Sequence, residues 1–136
     1  GSKKSLLKVM EKPELFQILC ANHNWLKALE LKEVTSPSSN NPKAVRERHL
    51  RQMLRHQALQ ALGGKCVHCD ESDFRVLQID HINGGGRRER KQINNATAYY
   101  KKVFLQKDSG HYQLLCANCS WIKFHSERES LQRWTV

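Results

Sequence analysis

The spacing of hydrophobic positions changes along the chain, and each change marks an element. Between Lys43 and Leu62, the residues Leu50, Met53, Leu54, Ala58, Ala61 and Leu62 recur at helical spacing. Arg46, Arg48, Arg51 and Arg55 fall mostly off that face. The pattern predicts a helix that Pro42 starts at its first turn and Gly63-Gly64 stops. Phe74 to Asp80 is rich in branched and apolar residues and predicts a strand, broken by Gly84-Gly85-Gly86. A second helix is expected from Glu89 to Lys107, with Ile93, Ala96, Tyr100 and Phe104 inward. Tyr112 to Leu115 predicts a short strand. A last helix is expected from near Asn118 through Trp121, Phe124 and Arg128. Residues 35–42 hold two prolines and no large apolar side chain, and read as a linker.

One segment occurs twice. Phe16–Lys27 aligns with Tyr112–Lys123, with seven of twelve positions identical and three more conservative. Lys8-Val9-Met10 also echoes Lys102-Val103-Phe104. Residues 3–34 therefore read as a strand and helix from the tail of a partial second module. Gly1-Ser2 reads as an expression scar. Residues 43–133 are the main domain. Trp25 and Trp121 share a repeat position and are expected in the core.

Charge adds a class of partner to this outline of elements. The chain has 136 residues, 23 Lys plus Arg and 13 Asp plus Glu, a formal charge of +10. So basic a small domain points to a polyanion, nucleic acid first. No apolar run approaches the ~18 residues that cross a bilayer. The charge is uneven. Residues 43–65 carry six basic residues and one Glu (+5), and residues 81–107 carry seven and one (+6). Between them, residues 66–80 sum to −3, Arg75 against Asp70, Glu71, Asp73 and Asp80.

Cysteines change the picture most. Of five, Cys66, Cys69, Cys116 and Cys119 form two Cys-x-x-Cys pairs separated by 46 residues. Two such knuckles can close a tetrahedral zinc site. Two unrelated pairs, or a redox motif, are the competing readings, and the flanks of a redox fold are missing. A site closed by four thiolates has no open position, so this Zn²⁺ is expected to be structural. Metal-type cysteines imply a reducing, cytoplasmic location, or the nucleoid or host-cell interior, rather than secretion.

Between the knuckles lies Asp80-His81, then the glycine loop and the basic run Arg87, Arg88, Arg90 and Lys91. Cys66–Cys69, Asp80-His81 and Leu115-Cys116-Ala117-Asn118-Cys119 followed by a helix resemble the HNH nucleases of the ββα-metal class, in the form common in mobile elements and viruses. The resemblance covers roughly residues 43–128. It implies an α+β fold: a small zinc-stabilised ββα-metal (HNH) domain with flanking helices, and an inserted helix between two antiparallel strands. It implies a DNA endonuclease that hydrolyses phosphodiester bonds on double-stranded DNA. His81 would be the general base and Asp80 a ligand of a single catalytic Mg²⁺ or Mn²⁺. Arg87, Arg88, Arg90 and Lys91 would hold phosphates. Arg46, Arg51 and Arg55 offer a second basic face. A homodimer or a larger parent protein would be compatible with all of this.

The chain departs from the family at Ser120, where members carry a metal-binding Asn or His. The repeat copy has Asn24 there. A hydroxyl is the poorer ligand, so the alternative function is a catalytically dead, zinc-stabilised DNA-binding module of HNH ancestry. A purely structural zinc module would explain the cysteines but not the basic flanks. His125 lies ~140° around a helix from Ser120, at ~100° per residue, and reads as a surface or phosphate contact. Cys20-x-x-His23 is half a metal site at most. The favoured expectation is that residues 3–33 pack on the domain or on a neighbouring chain without a metal of their own. A missing upstream segment or a second chain completing that site is the alternative.

Overall fold

The computed structural model describes residues 3–35 and 39–133, and for residues 3–6, 33–35 and 128–133 the backbone alone. Gly1-Ser2 and part of the linker, residues 36–38, lie outside the described residues. Helix α1 (Lys3–Glu11) is followed by a 3₁₀ turn (Pro13–Leu15) and helix α2 (Ala21–Thr35). Helix α3 spans Pro42–Ala61. Asn41 caps it, its side chain accepting from the Lys43 N–H at 2.9 Å, and Pro42 sits where a missing N–H costs nothing.

Strand β1 (Leu77–His81) and strand β2 (Tyr112–Cys116) form a two-stranded antiparallel sheet with Asp80 opposite Gln113 and His81 opposite Tyr112. Between them the chain makes two helices, α4 (Gly86–Gln92) and α5 (Ala96–Leu105), where helical spacing predicts one over 89–107. Asn95 divides them by accepting from the Thr97 and Ala98 N–H groups, which starts a new helix. Helix α6 (Ala117–Arg133) follows β2 without a loop.

The core has two adjoining parts. Leu59, Val76, Leu77, Leu114 and Leu115 pack around Cys66 and Cys116. Ala58, Tyr99, Val103 and Tyr112 join α3, α5 and β2. Each fully buried Leu contributes about 1.5–3 kcal/mol, and with so few of them a cross-link gains weight. The buried face of α3 is Ala58 and Leu59, while Leu50 and Met53 are exposed. On α5 the inward residues are Tyr99 and Val103, one position before Tyr100 and Phe104. Trp25 and Trp121 are both largely exposed rather than core. Trp121 instead stacks on His125, ring centroids 3.9 Å apart.

Residues 16–20 do not form the expected strand. They repeat the β2 sequence, but among the described residues nothing repeats β1 beside them, and an isolated strand has no ladder to join. Helix α2 packs on α6, its repeat counterpart. Among the described residues no helix is long and apolar enough to cross a membrane.

Candidate functional site

The two knuckles meet. Cys66 and Cys69 sit in the turn after α3, Cys116 ends β2, and Cys119 lies in the first turn of α6. The Val67 N–H donates to the Leu114 carbonyl at 3.0 Å, which ties the first knuckle to β2. The Cys119 N–H points at Cys116 Sγ, 3.5 Å away. The four sulfurs lie within 4.8 Å of one another, with Cys69 and Cys116 Sγ 3.6 Å apart. A zinc tetrahedron with ~2.3 Å bonds has S···S edges of about 3.8 Å, so the cluster fits the ion. Burial opposes ionisation of the Cys66 thiol, but backbone N–H groups at Cys116, His68 and Cys69 outweigh it and bring it down to about 7. Burial and hydrogen bonds from the neighbouring thiols push Cys119 upward. Four thiolates this close repel one another until a dication joins them.

A cleft of ≈ 790 Å³ opens between the end of β1, the glycine loop, α4 and α6. It gathers Asp80, His81 and Ser120 with Arg87, Arg90 and Lys91. Arg88 does not line it and is exposed. His125 is not in its lining either. The two neighbours at the end of β1 turn to different partners. Asp80 Oδ2 accepts from Gln113 Nε2 at 2.8 Å and from Lys123 Nζ at 2.6 Å. The same ammonium donates to the His81 carbonyl at 2.8 Å. Lys123 thus marks a point on which oxygens converge and a cation sits. Asp80 carboxylate and Ser120 hydroxyl on the same cleft are the hard oxygen donors that suit Mg²⁺ or Mn²⁺.

His81 faces a part-buried network. Its Nε2 meets a carboxylate oxygen of Glu89, whose other oxygen accepts from Lys102 Nζ and from the Tyr112 hydroxyl, the latter at 2.7 Å. The side chains of His81 and Glu89 are 15% and 12% exposed, so water screens this pair little. Burial works against the Glu89 carboxylate, but Lys102, Tyr112 and His81 overcome it and hold the group at about 2. A carboxylate only accepts, so the hydrogen bond at Nε2 is donated by the ring, and in that tautomer of the neutral imidazole Nδ1 is the acceptor. The ring of His81 lies against Gly86, where an added Cβ would come 2.7 Å from Nδ1. The third glycine of the loop is therefore required by the close approach of the imidazole. Sequence patterns do not single out Glu89 or Lys102 as site residues. Glu89 is visible only as the one acid in a basic run, and helical spacing alone does not pair it with His81.

The second basic face is reduced. Arg55 donates to the Leu77 carbonyl at 2.8 Å, anchoring α3 to β1, and Arg48 donates to the Ser39 carbonyl at 3.4 Å. Arg46 and Arg51 remain exposed on α3. In the repeat copy, Cys20 Sγ and His23 Nδ1 are 2.9 Å apart at the surface. The backbone N–H and ring of His23, with the Asn118 side chain, pull the Cys20 thiol down to about 7. Comparison of the chain with family models, curated proteins and solved structures finds no match.

Proposed function

We propose that this chain is a DNA endonuclease of the HNH type, a zinc-clamped ββα-metal domain that hydrolyses phosphodiester bonds. The observation that carries this reading is His81, held at Nε2 by Glu89, on the wall of a cleft that also holds Asp80, Ser120, Arg87, Arg90 and Lys91. The parts divide the work. Arg87, Arg90 and Lys91 receive the phosphates of the duplex and set its register without reading bases. His81 Nδ1 accepts a proton from the attacking water, and Glu89 stabilises the imidazolium that results. A Mg²⁺ or Mn²⁺ held by Asp80 and Ser120 would neutralise charge on the phosphate and assist the departing 3′ oxygen. The Lys123 ammonium holds the Asp80 carboxylate in place between turnovers. Nicking of supercoiled plasmid by the protein and by His81→Ala tests the proposal.

Two observations favour the second reading, a binding module without catalysis. Ser120 stands where a stronger ligand is expected, and Lys123 competes for Asp80. That reading predicts salt-dependent DNA binding with no cleavage under any divalent ion.

A further inference from the structure

We propose that the partial repeat carries half of a second zinc site. Cys20 and His23 are two of its ligands. The other two come from a polypeptide segment that presents a Cys-x-x-Cys turn followed by an antiparallel strand, as residues 66–81 do for the four-cysteine cluster.

The repeat itself defines what is missing. Cys20 aligns with Cys116 and His23 with Cys119, so the pair occupies the positions of one complete knuckle. Both copies place the knuckle at the same structural point: Ala21 and Ala117 each begin a helix. Cys20 Sγ and His23 Nδ1 already lie 2.9 Å apart on an exposed surface. A zinc edge between a thiolate at ~2.3 Å and an imidazole at ~2.0–2.1 Å is about 3.6 Å long. Two unburied side chains open by that difference without disturbing a core.

The apolar side chains give a second, independent argument. In the complete module Leu114 and Leu115 are buried in one cluster with Cys66 of the first knuckle, Val76, Leu77 of β1 and Leu59 of α3, and Tyr112 is buried against α3 and α5. Their counterparts Phe16, Ile18 and Leu19 are exposed by 47%, 102% and 36%. Each of these three positions is covered in the complete module and open in the partial one. Moving a Leu or Ile from water into an apolar contact is favourable, so the open edge favours the same type of cover. The Phe16 N–H donates to the Pro13 carbonyl and the Cys20 carbonyl accepts from the Asn24 N–H, but among the described residues no backbone hydrogen bond engages residues 17–19, an edge that an added strand can extend. The occupant that satisfies both the metal and the edge is a knuckle followed by a strand.

The test uses a peptide with the sequence of residues 64–83 of this chain, added to the zinc-loaded 136-residue chain while Co²⁺ is titrated. A second equivalent of metal per chain, with thiolate-to-cobalt absorption, should bind only when the peptide is present. It should vanish in Cys20→Ser and in His23→Ala, while the first site is unchanged. The same segment joined ahead of residue 1 by a flexible linker raises its effective concentration to roughly the millimolar range and should fill the site unaided. One metal per chain in that tethered protein overturns the proposal. Half an extra equivalent without peptide, together with dimers in sedimentation, also overturns it, because a second copy would then close the site.

Discussion

Asn22 and Asn118 hold each other reciprocally: the Asn22 N–H donates to Asn118 Oδ1 at 3.1 Å, and the Asn118 N–H donates to Asn22 Oδ1 at 2.9 Å. They are the same residue of the two repeat copies, 96 positions apart. Each side chain satisfies an otherwise orphaned N–H in the first turn of the other's helix. Removing either leaves a donor unpaired where Asn22 is buried, a cost of about 1–3 kcal/mol. Asn118→Ala should lower stability by that amount in urea unfolding. Asn22→Ala removes the other bond and should cost about as much again, so the double variant should lose close to the sum, apart from any coupling between two contacting residues. No loss from either variant would mean that the helices dock without this pair.

Zinc is the second expectation. Elemental analysis should find one ion per chain, and Cys69→Ser or Cys116→Ser should unfold the protein as a strong chelator does. Cys20→Ser should leave the fold intact, since its thiol lies outside the four-cysteine cluster. A metal-free protein with the circular dichroism and melting of the native one would remove the structural zinc.

Glu89 ties stability to pH. Its carboxyl is held at about 2, below the ordinary 4.5, so its folded form binds protons less readily than the unfolded one. The contribution is fully present above about 4.5 and is lost as pH falls toward about 2. Glu89→Gln should destabilise the protein at neutral pH and flatten the acid limb of the stability profile in that window. An unchanged acid limb would mean that the network around Glu89 does not form. The same variant should slow cleavage more than it weakens DNA binding, because it removes the support of His81.

The basic residues separate by position. Arg87 lines the cleft and Arg88 does not. Arg87→Ala should weaken binding to any duplex and make the slope of log affinity against log salt shallower by about 0.9 for each phosphate it no longer neutralises. Arg88→Ala should do less. Equal effects in fluorescence anisotropy titrations would mean that phosphate follows a path outside the cleft.

Much of this was legible in the sequence because it is written in local signals. Cysteine spacing marked the cluster, and Asn41 and Pro42 marked the start of α3. The apolar runs ending at Asp80 and beginning at Tyr112 marked the strands, each within a few residues of its place. What was missed depends on distance in space. Glu89 reaches His81 only because Gly86 lets α4 close onto the ring. Lys123 finds Asp80 from another helix, and a strand pattern at 16–20 cannot state whether a partner lies beside it. Leu59 and Tyr99 are buried because α3 and α5 face each other through Ala58 and Val103: Ala58 lies on the expected face of α3, while on α5 the buried face is rotated by one residue from Tyr100 and Phe104, which helical spacing leaves open.

The central claim is cleavage by this cleft, and it is tested by nicking of supercoiled plasmid in Mg²⁺ or Mn²⁺. The measurement compares the protein with Ser120→Asn and with Ser120→Asn/His81→Ala. Asn offers the metal the amide oxygen that Ser lacks, and misplacement of a catalytic group by about 1 Å costs ~10²-fold. The native protein should cut slowly, and Ser120→Asn should cut at least about tenfold faster, ~1.4 kcal/mol of barrier. Adding His81→Ala should lower the rate by ~10²–10⁴-fold while DNA affinity stays nearly unchanged. No nicking by the native or the Ser120→Asn protein, with DNA binding intact, would contradict the endonuclease and leave a binding module. Full cleavage without His81 would contradict its role as the base.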